Sequence, residues 1–223
     1  MRLFITGLLL LVVTYTYAQI PTYYNDVDVT LTGTALKNAL TTKITTTHTN
    51  FLSYTPGVWE ASKITDINPD NSAEVILIYG WENGSDQDIT NDRTRNKNLQ
   101  DTGSGESFVW NREHVFSKSL ANPVLIGVGS SRGPGSDAHN LRPVDRSTNS
   151  SRNNFKFTLG QGNSGRSSVT YSGPEGPETR GWYPGDEWKG DVARMMMYMY
   201  LRYGEQCLPS AVGVGSQQFI VDD

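Results

Sequence analysis

The chain is poor in cysteine and in long apolar runs. Cys207 is the single cysteine among 223 residues, which excludes an intrachain disulfide bond. The core and any bound metal ion must therefore stabilise the fold. No segment after the first eighteen residues is apolar for long enough to cross a membrane. We interpret Cys207 as an inert thiol, because nothing near it in the sequence marks it as activated.

The one long apolar run lies at the N-terminus. Arg2 precedes the apolar residues 3–13, and Ala18 offers a small residue at a cleavage position. This run is too short to span a bilayer and has the organisation of a secretory signal peptide. We predict a signal peptide over residues 1–18, a single domain over residues 19–223, and a secreted or periplasmic protein.

A general excess of basic residues is also missing. The formal net charge is −4, and removal of residues 1–18 takes away only Arg2, which leaves −5. A simple nucleic-acid-binding protein would be basic. Residues 112–156, however, carry seven basic and three acidic side chains. This local surplus suits an enzyme that binds a polyanion and then releases it.

Hydrophobic patterning predicts a mixed α and β fold. Helices are expected at residues 33 to about 50, 58–63 and 192–203, the last of them capped by Asp191. A continuous β-branched and apolar run predicts a strand at residues 74–79. Two glycine-rich stretches are expected to be loops, residues 80–106 with an irregular hairpin and residues 160–185.

The chemically active residue types concentrate in three short segments. They are Trp110-Asn111-Arg112-Glu113-His114, Asp137-Ala138-His139-Asn140-Leu141-Arg142-Pro143 and Asn149-Ser150-Ser151-Arg152. The segments supply a carboxylate, imidazoles, amides and guanidinium groups. These are the groups needed to cut a phosphodiester around one hard divalent cation.

Local structure can be assigned to these segments. We expect a strand at residues 107–110 that delivers Glu113 and His114 at its end. Neighbouring side chains on a regular strand point to opposite faces, so if both residues serve one phosphate the backbone should bend or bulge there. Residues 140–144 are expected to be extended, with Pro143 keeping them at an edge. A helix opened by Asp145 or Ser147 would then carry Asn149 and Arg152.

Taken together and in this order, the three segments resemble the endonuclease I family of secreted and periplasmic nucleases, which have a ββα-metal (His-Me finger) site. The resemblance extends to residues 33–37, 78–79 and 188–203, and so covers most of the predicted domain. It implies an α+β fold: a single domain with a ββα-metal finger core flanked by helices and long loops.

The resemblance implies that Glu113 and Asn149 hold the metal and that His114 is the general base. The chemistry of these residues agrees, since carboxylate and amide oxygens suit Mg²⁺ and an imidazole accepts a proton near neutral pH. Mg²⁺ is the expected cofactor, with Ca²⁺ or Mn²⁺ as alternatives. A zinc site built on His114 and His139 would lack its third and fourth ligands.

Further roles follow from residue chemistry. Arg132 and Arg152 are both candidates for the arginine that holds the phosphate in the transition state. Three residues are expected to brace the site without touching substrate: Asp137, His139 and Asn140. Three more are expected to contact substrate phosphates: Arg112, Arg142 and Lys118. His48 is interpreted as a structural or exposed residue of the first helix.

We therefore predict a sequence-nonspecific endonuclease that hydrolyses DNA and RNA to 5′-phosphate and 3′-hydroxyl ends. It is expected to be a monomer with no obligate protein partner and no membrane association. No base-reading module is recognisable, and contacts to the backbone carry no sequence information. Two alternatives are a catalytically inactive extracellular nucleic-acid-binding protein and an exported adhesion or carbohydrate-binding module. The intact Glu113, His114 and Asn149 favour the enzyme.

Overall fold

Two antiparallel strands and the short helix after them form the unit that carries the three motifs. The computed structural model describes residues 21–82, 84–103, 105–127, 132–167, 171–173, 176–178 and 181–214. The signal peptide predicted for residues 1–18 lies outside these ranges. The helices are α1 (Gly33–Thr47), α2 (Trp59–Thr65), α3 (Arg146–Arg152), α4 (Lys189–Tyr203) and α5 (Pro209–Val212). The strands are β1 (Ile67–Asn68), β2 (Asn71–Ile76), β3 (Thr94–Asn96), β4 (Trp110–His114), β5 (Leu141–Asp145), β6 (Gly165–Ser167), β7 (Tyr171–Gly173), β8 (Gly176–Glu178) and β9 (Gly181–Tyr183).

Strands β4 and β5 pair in a regular register. The pairing runs from Trp110 opposite Asp145 to His114 opposite Leu141 without a register shift. The expected bulge is therefore absent from this pair. The strand also begins at Trp110 instead of ending there, because Phe108 has a φ of 70° and this conformation is incompatible with an extended strand. Glu113 and His114 consequently lie within a strand.

Helix α3 begins as the sequence predicts. Asp145 is its N-cap, and its Oδ1 accepts hydrogen bonds from the backbone N–H groups of Ser147 at 2.7 Å and Thr148 at 2.9 Å. Its second oxygen, Oδ2, lies 2.7 Å from Nη1 of the buried Arg95. Both oxygens of the capping carboxylate are thus engaged, which fixes the start of the helix that carries Asn149.

A three-stranded antiparallel sheet, ordered β1-β2-β3, lies beside this unit. Strand β2 ends at Ile76, earlier than predicted, because Ile78 N–H turns to Pro143 C=O of β5 and Tyr79 has a φ of 72°. The next residue must be glycine, since a Cβ on Gly80 would lie 2.3 Å from the carbonyl oxygen of Asp92.

Helices α1 and α4 pack against each other. The predicted core face of α4 is confirmed, with Val192, Met195, Met196 and Met199 all buried. Asp191 is not the N-cap, because the helix begins two residues earlier and Trp188 occupies that position. Cys207 is fully buried beside this core, and burial raises the pKa of its thiol to about 12.

Residues 160–185 are not only loops. Strand β6 pairs with β9 and β7 pairs with β8, all over three residues each. These strands are short and rich in glycine, so they carry little of the β-branched character from which a strand is predicted. The whole is an α+β fold, as predicted, and none of its described helices is long and apolar enough to cross a bilayer.

Candidate active site

A polar cavity of about 560 Å³ opens beside β4 and α3. Its wall is formed by residues 111–114 of β4, residues 117–119 of the following turn, Val124, and residues 149, 150 and 152–154 at α3. Six predicted site residues lie in this wall: Arg112, Glu113, His114, Lys118, Asn149 and Arg152. The other five, Arg132, Asp137, His139, Asn140 and Arg142, do not.

Glu113 is buried and held from one side. Its Oε1 lies 3.1 Å from the hydroxyl of Tyr79 and 3.1 Å from Nε of Arg152. Burial raises the pKa of Glu113 to about 6, although the Arg152 charge opposes the shift. Among the described residues, every polar contact of Glu113 goes to Oε1. Oε2 is therefore the oxygen that remains for a metal ion.

Arg152 supports Glu113 from within the protein. Its side chain is 1% exposed, and it donates to the carbonyl oxygens of Val115 and Asn153 at 2.8 Å and to the Ser117 hydroxyl. A guanidinium engaged in this way has little capacity for a substrate phosphate. This placement argues against Arg152 as the phosphate-holding arginine and in favour of a role in fixing the carboxylate.

His114 is oriented by a backbone carbonyl and an aromatic ring. Its Nε2 lies 2.7 Å from the carbonyl oxygen of Gly135, and its ring stacks on Tyr54 with centroids 5.6 Å apart. A carbonyl oxygen only accepts hydrogen bonds, so Nε2 carries the proton and Nδ1 is the basic nitrogen. Burial lowers the pKa of His114 to about 4, which keeps the imidazole neutral at physiological pH.

Asn149 is oriented by a residue that the sequence did not single out. Its Nδ2 donates a 2.6 Å hydrogen bond to Oδ1 of Asn111. This contact uses the amide nitrogen and leaves the amide oxygen of Asn149 available. Asn111 precedes Glu113 by two residues on β4, so both side chains lie on the same face of that strand.

Two of the predicted phosphate contacts are engaged elsewhere. Arg142 pairs with the buried Asp66, outside the cavity wall. Arg112 reaches the wall, but its guanidinium carbon lies 3.6 Å from the ring centre of Tyr54 and 3.8 Å from that of Trp59. It also donates to the Tyr54 carbonyl oxygen. The fold holds both cations in this structure, and Lys118 is the predicted phosphate contact in the wall for which no such contact is described.

Two further predicted residues, Asn140 and Arg132, lie outside the cavity wall. Asn140 is fully buried and clamps the turn after β4, accepting from Phe116 N–H at 2.7 Å and donating to its carbonyl oxygen at 3.1 Å. This position fits a bracing role. Arg132 is exposed, in the segment that leads to Gly135.

Asp137 and His139 lie in a separate cluster with His48. Asp137 Oδ1 accepts from His139 N–H at 2.9 Å and lies 3.0 Å from its Nδ1. Ligand atoms of His48, Asp137 and His139 all lie within 4.8 Å of one another, so within the described ranges these residues form a group that could hold a metal ion. His48 was missed because its partners are distant in sequence.

The cavity brings together the parts of a hydrolytic site. A neutral imidazole with a free nitrogen can take a proton from water. A buried carboxylate oxygen and a fixed amide oxygen, both hard donors, face the same space. A lysine at the rim can hold an anion.

Comparison with known proteins identifies the family of the chain. The family model described as Endonuclease I matches residues 32–221. An extracellular ribonuclease of Bacillus amyloliquefaciens is 40% identical over 193 residues, covering 83% of this chain and 55% of the relative. An extracellular ribonuclease of Bacillus subtilis (strain 168) is 40% identical over 187 residues, covering 84% of this chain and 55% of the relative.

The chain thus spans about half the length of the curated relatives it matches. No solved structure matches it significantly. Strand β4, strand β5 and helix α3, with Glu113, His114 and Asn149 on one cavity, all lie inside the region that the family model matches, and the chain belongs to the Endonuclease I family.

Proposed function

We propose that the chain is an exported, sequence-nonspecific endonuclease that hydrolyses DNA and RNA with the help of a divalent cation. The observation that carries the proposal is the shared cavity of Glu113, His114 and Asn149. The names of the two relatives, both extracellular ribonucleases, support RNA as a substrate and export as the destination. The signal-like residues 1–18 point the same way.

Glu113 and Asn149 would hold the cation. The free Oε2 of Glu113 and the amide oxygen left available by the Asn111 contact are hard ligands, which favours Mg²⁺, with Ca²⁺ and Mn²⁺ as alternatives. When bound, the cation supplies positive charge to a non-bridging phosphate oxygen and to the departing 3′ oxygen. The Arg152 contact keeps Glu113 in place when the site is empty of substrate.

His114 would be the general base through Nδ1. The hydrogen bond from Nε2 to Gly135 and the Tyr54 stack fix the ring, so no tautomer change precedes proton transfer. A pKa of about 4 makes a weak base in the substrate-free protein. The negative charge of a bound phosphate raises the pKa of the neighbouring imidazole and so improves the base when substrate arrives.

Lys118 at the cavity wall would hold a phosphate of the substrate. Arg132 is exposed and lies outside the wall. It is our candidate for the arginine that holds the phosphate in the transition state. Attack of water on the phosphorus would break the P–O3′ bond; the 3′ oxygen leaves and takes up a proton, which gives 5′-phosphate and 3′-hydroxyl ends. Among the described residues of the wall we recognise no base-reading element, which fits a nonspecific enzyme.

The test uses the exported chain with supercoiled plasmid and with a structured RNA, each in Mg²⁺ or in EDTA. His114→Ala is the test variant, and Arg194→Ala, which removes an exposed charge on α4, is the control. We expect chelator-sensitive cleavage by the wild type and by Arg194→Ala, and a loss of cleavage in His114→Ala. Retarded but uncut nucleic acid would support the inactive binding protein instead. Indifference to nucleic acid would support the adhesion module.

A further inference from the structure

The cluster of His48, Asp137 and His139 lies apart from the cavity and has the composition of a transition-metal site. His48 follows the end of α1, while Asp137 and His139 belong to the segment that precedes β5. His48 Nδ1 lies 4.0 Å from Asp137 Oδ2, and His139 Nδ1 lies 3.0 Å from Asp137 Oδ1. Two imidazoles and one carboxylate are a ligand set that suits zinc and its neighbours, whereas Mg²⁺ prefers oxygen ligands.

The carboxylate at the centre of the cluster is already positioned. Its side chain is 1% exposed, and Oδ2 accepts hydrogen bonds from Tyr198 at 2.9 Å and Tyr203 at 2.7 Å, both on α4. Hydrogen bonds from His139 and Tyr203 outweigh the effect of burial and lower the pKa of Asp137 to about 2, so it is ionised. Metal-binding carboxylates are commonly oriented by such outer hydrogen bonds.

An ion can reach the cluster from solvent. The side chain of His139 is 64% exposed, and a cavity of about 90 Å³ is lined by all three residues. Ligand atoms bound to one zinc at about 2.0–2.1 Å lie about 3.4 Å apart in a tetrahedral site. One ligand atom can be taken from each of the three residues so that all three atoms lie within 4.8 Å of one another. Reducing the widest of these separations to the tetrahedral value requires a shift of about 1.4 Å, which the exposed His139 ring can make.

The hydrogen bonds define the imidazole tautomers of the metal-free protein. The Tyr198 hydroxyl donates its one hydrogen bond to Asp137. Its oxygen lies 3.3 Å from His48 Nδ1 and can therefore only accept a hydrogen bond from that nitrogen. His139 Nδ1 faces an ionised carboxylate and also carries a proton. Both rings therefore hold the proton on Nδ1, whereas His114 holds it on Nε2.

We infer that Nδ1 of His48, Oδ1 of Asp137 and Nδ1 of His139 bind one Zn²⁺-class transition-metal ion at a second site, distinct from the Glu113–Asn149 site. The fourth position is open to water. On binding, each ring loses its Nδ1 proton to solvent and gains one on Nε2, so a neutral ring changes tautomer without a net change in protons. The ion joins the end of α1 to the segment whose Gly135 orients His114.

The chain has three histidines, His48, His114 and His139, which makes the test selective. Full exported protein is stripped with EDTA, returned to excess Mg²⁺ and titrated with ZnCl₂ by calorimetry. Long-range ¹H–¹⁵N spectra of the imidazoles follow the same titration. We expect one Zn²⁺ per chain, with two imidazoles changing from the Nδ1–H to the Nε2–H form and the third unchanged.

Variants decide the location of binding. His139→Gln changes an exposed ring and should weaken Zn²⁺ binding at least tenfold, as should His48→Gln, whereas His114→Gln should still bind one Zn²⁺. Co²⁺ should give visible absorption in the wild type and in His114→Gln alone. The inference is overturned if the wild type binds no Zn²⁺ at micromolar concentrations, if His139→Gln binds as the wild type does, or if His114→Gln alone removes binding. None of these outcomes depends on nuclease activity, so the proposed function stands or falls separately.

Discussion

The polar cavity and the His48–Asp137–His139 cluster both combine imidazole with carboxylate, yet they use the imidazole in opposite ways. In the cavity, His114 donates a hydrogen bond to a neutral carbonyl oxygen, and burial lowers its pKa to about 4. In the cluster, His139 donates a hydrogen bond to an ionised carboxylate, and its side chain is largely exposed. In the cavity the unprotonated nitrogen, Nδ1 of His114, is left free to act as a base, whereas in the cluster the proton sits on Nδ1, the nitrogen that we propose as the metal ligand.

The two carboxylates differ in the same manner. Glu113 is buried against one arginine and has a raised pKa, whereas Asp137 accepts several hydrogen bonds and has a lowered one. Burial alone disfavours the charged form, and hydrogen bonds to the charged form favour it. The cavity thus keeps a carboxylate that gains from a cation, while the cluster keeps one that is already stabilised without any ion.

The largest expected effect comes from removing His114, the proposed general base of the cavity. His114→Ala should lower kcat about 1,000-fold on plasmid DNA, because the positioned proton acceptor is lost. Added imidazole should restore part of the rate, since a free ring can occupy the space between Tyr54 and Gly135. Steady-state cleavage rates with and without imidazole measure this. An unchanged rate in the variant would exclude His114 as the base.

The next effect concerns stability in the cluster, measured in EDTA so that no metal is present. Asp137 has a pKa of about 2 in the folded protein, against 3.8 for an ordinary aspartate, and this difference corresponds to about 2 kcal/mol. The folded pKa is depressed, so this stability is present above pH 4 and is lost as the pH falls towards 2. Urea unfolding at pH 6 and pH 2.5 should show the loss in the wild type.

Asp137→Asn should be less stable than the wild type at pH 6 and should lose less of its stability on acidification. Asp191→Asn, which alters an exposed ion pair with Arg194, is the control and should follow the wild-type pH dependence closely. Equal pH dependence in the wild type and Asp137→Asn would contradict the assigned role of Asp137 in the cluster.

A smaller effect tests how the cavity orients its amide ligand. Asn111→Ala removes the acceptor that holds Asn149 Nδ2, so the Asn149 oxygen is no longer fixed. We expect the Mg²⁺ concentration for half-maximal activity to rise about tenfold, with kcat at saturating Mg²⁺ changed less. Asn154→Ala is a matched amide deletion in the same wall and should leave the Mg²⁺ requirement near that of the wild type. Equal effects of the two variants on the Mg²⁺ requirement would show that Asn111 does not position Asn149.

The cavity could be predicted from the sequence because its signals are local. Pro143 marks an edge strand, Asp145 caps α3, and Glu113, His114 and Asn149 all belong to short motifs. The limits of β4 could not be predicted, since they depend on the positive φ at Phe108. The bulge was expected because Glu113 and His114 are neighbours on one strand. The pairing is regular, and the cavity is lined by consecutive residues of β4, which point to opposite faces of that strand.

The cluster could not be predicted because packing assembles it. His48 reaches Asp137 only through the contact of α1 with α4, and Tyr198 and Tyr203 enter from the same helix. Arg142 illustrates the converse. Its chemistry fits a phosphate contact, but it forms an ion pair with the buried Asp66. The two residues are distant in sequence, so no local pattern predicts that pair.

The smallest expected effect separates a cation that meets substrate from cations that hold the fold. Lys118 lies in the cavity wall, so Lys118→Ala should raise KM for DNA a few-fold and reduce the salt dependence of KM by about one phosphate contact. Lys189→Ala removes an equal charge from an exposed pair with Asp186 and should leave both quantities near their wild-type values. Cleavage rates over a range of NaCl concentrations compare the two variants. If they respond alike, net charge and not the cavity governs substrate binding, and the contrast between the cavity and the rest of the surface loses its electrostatic part.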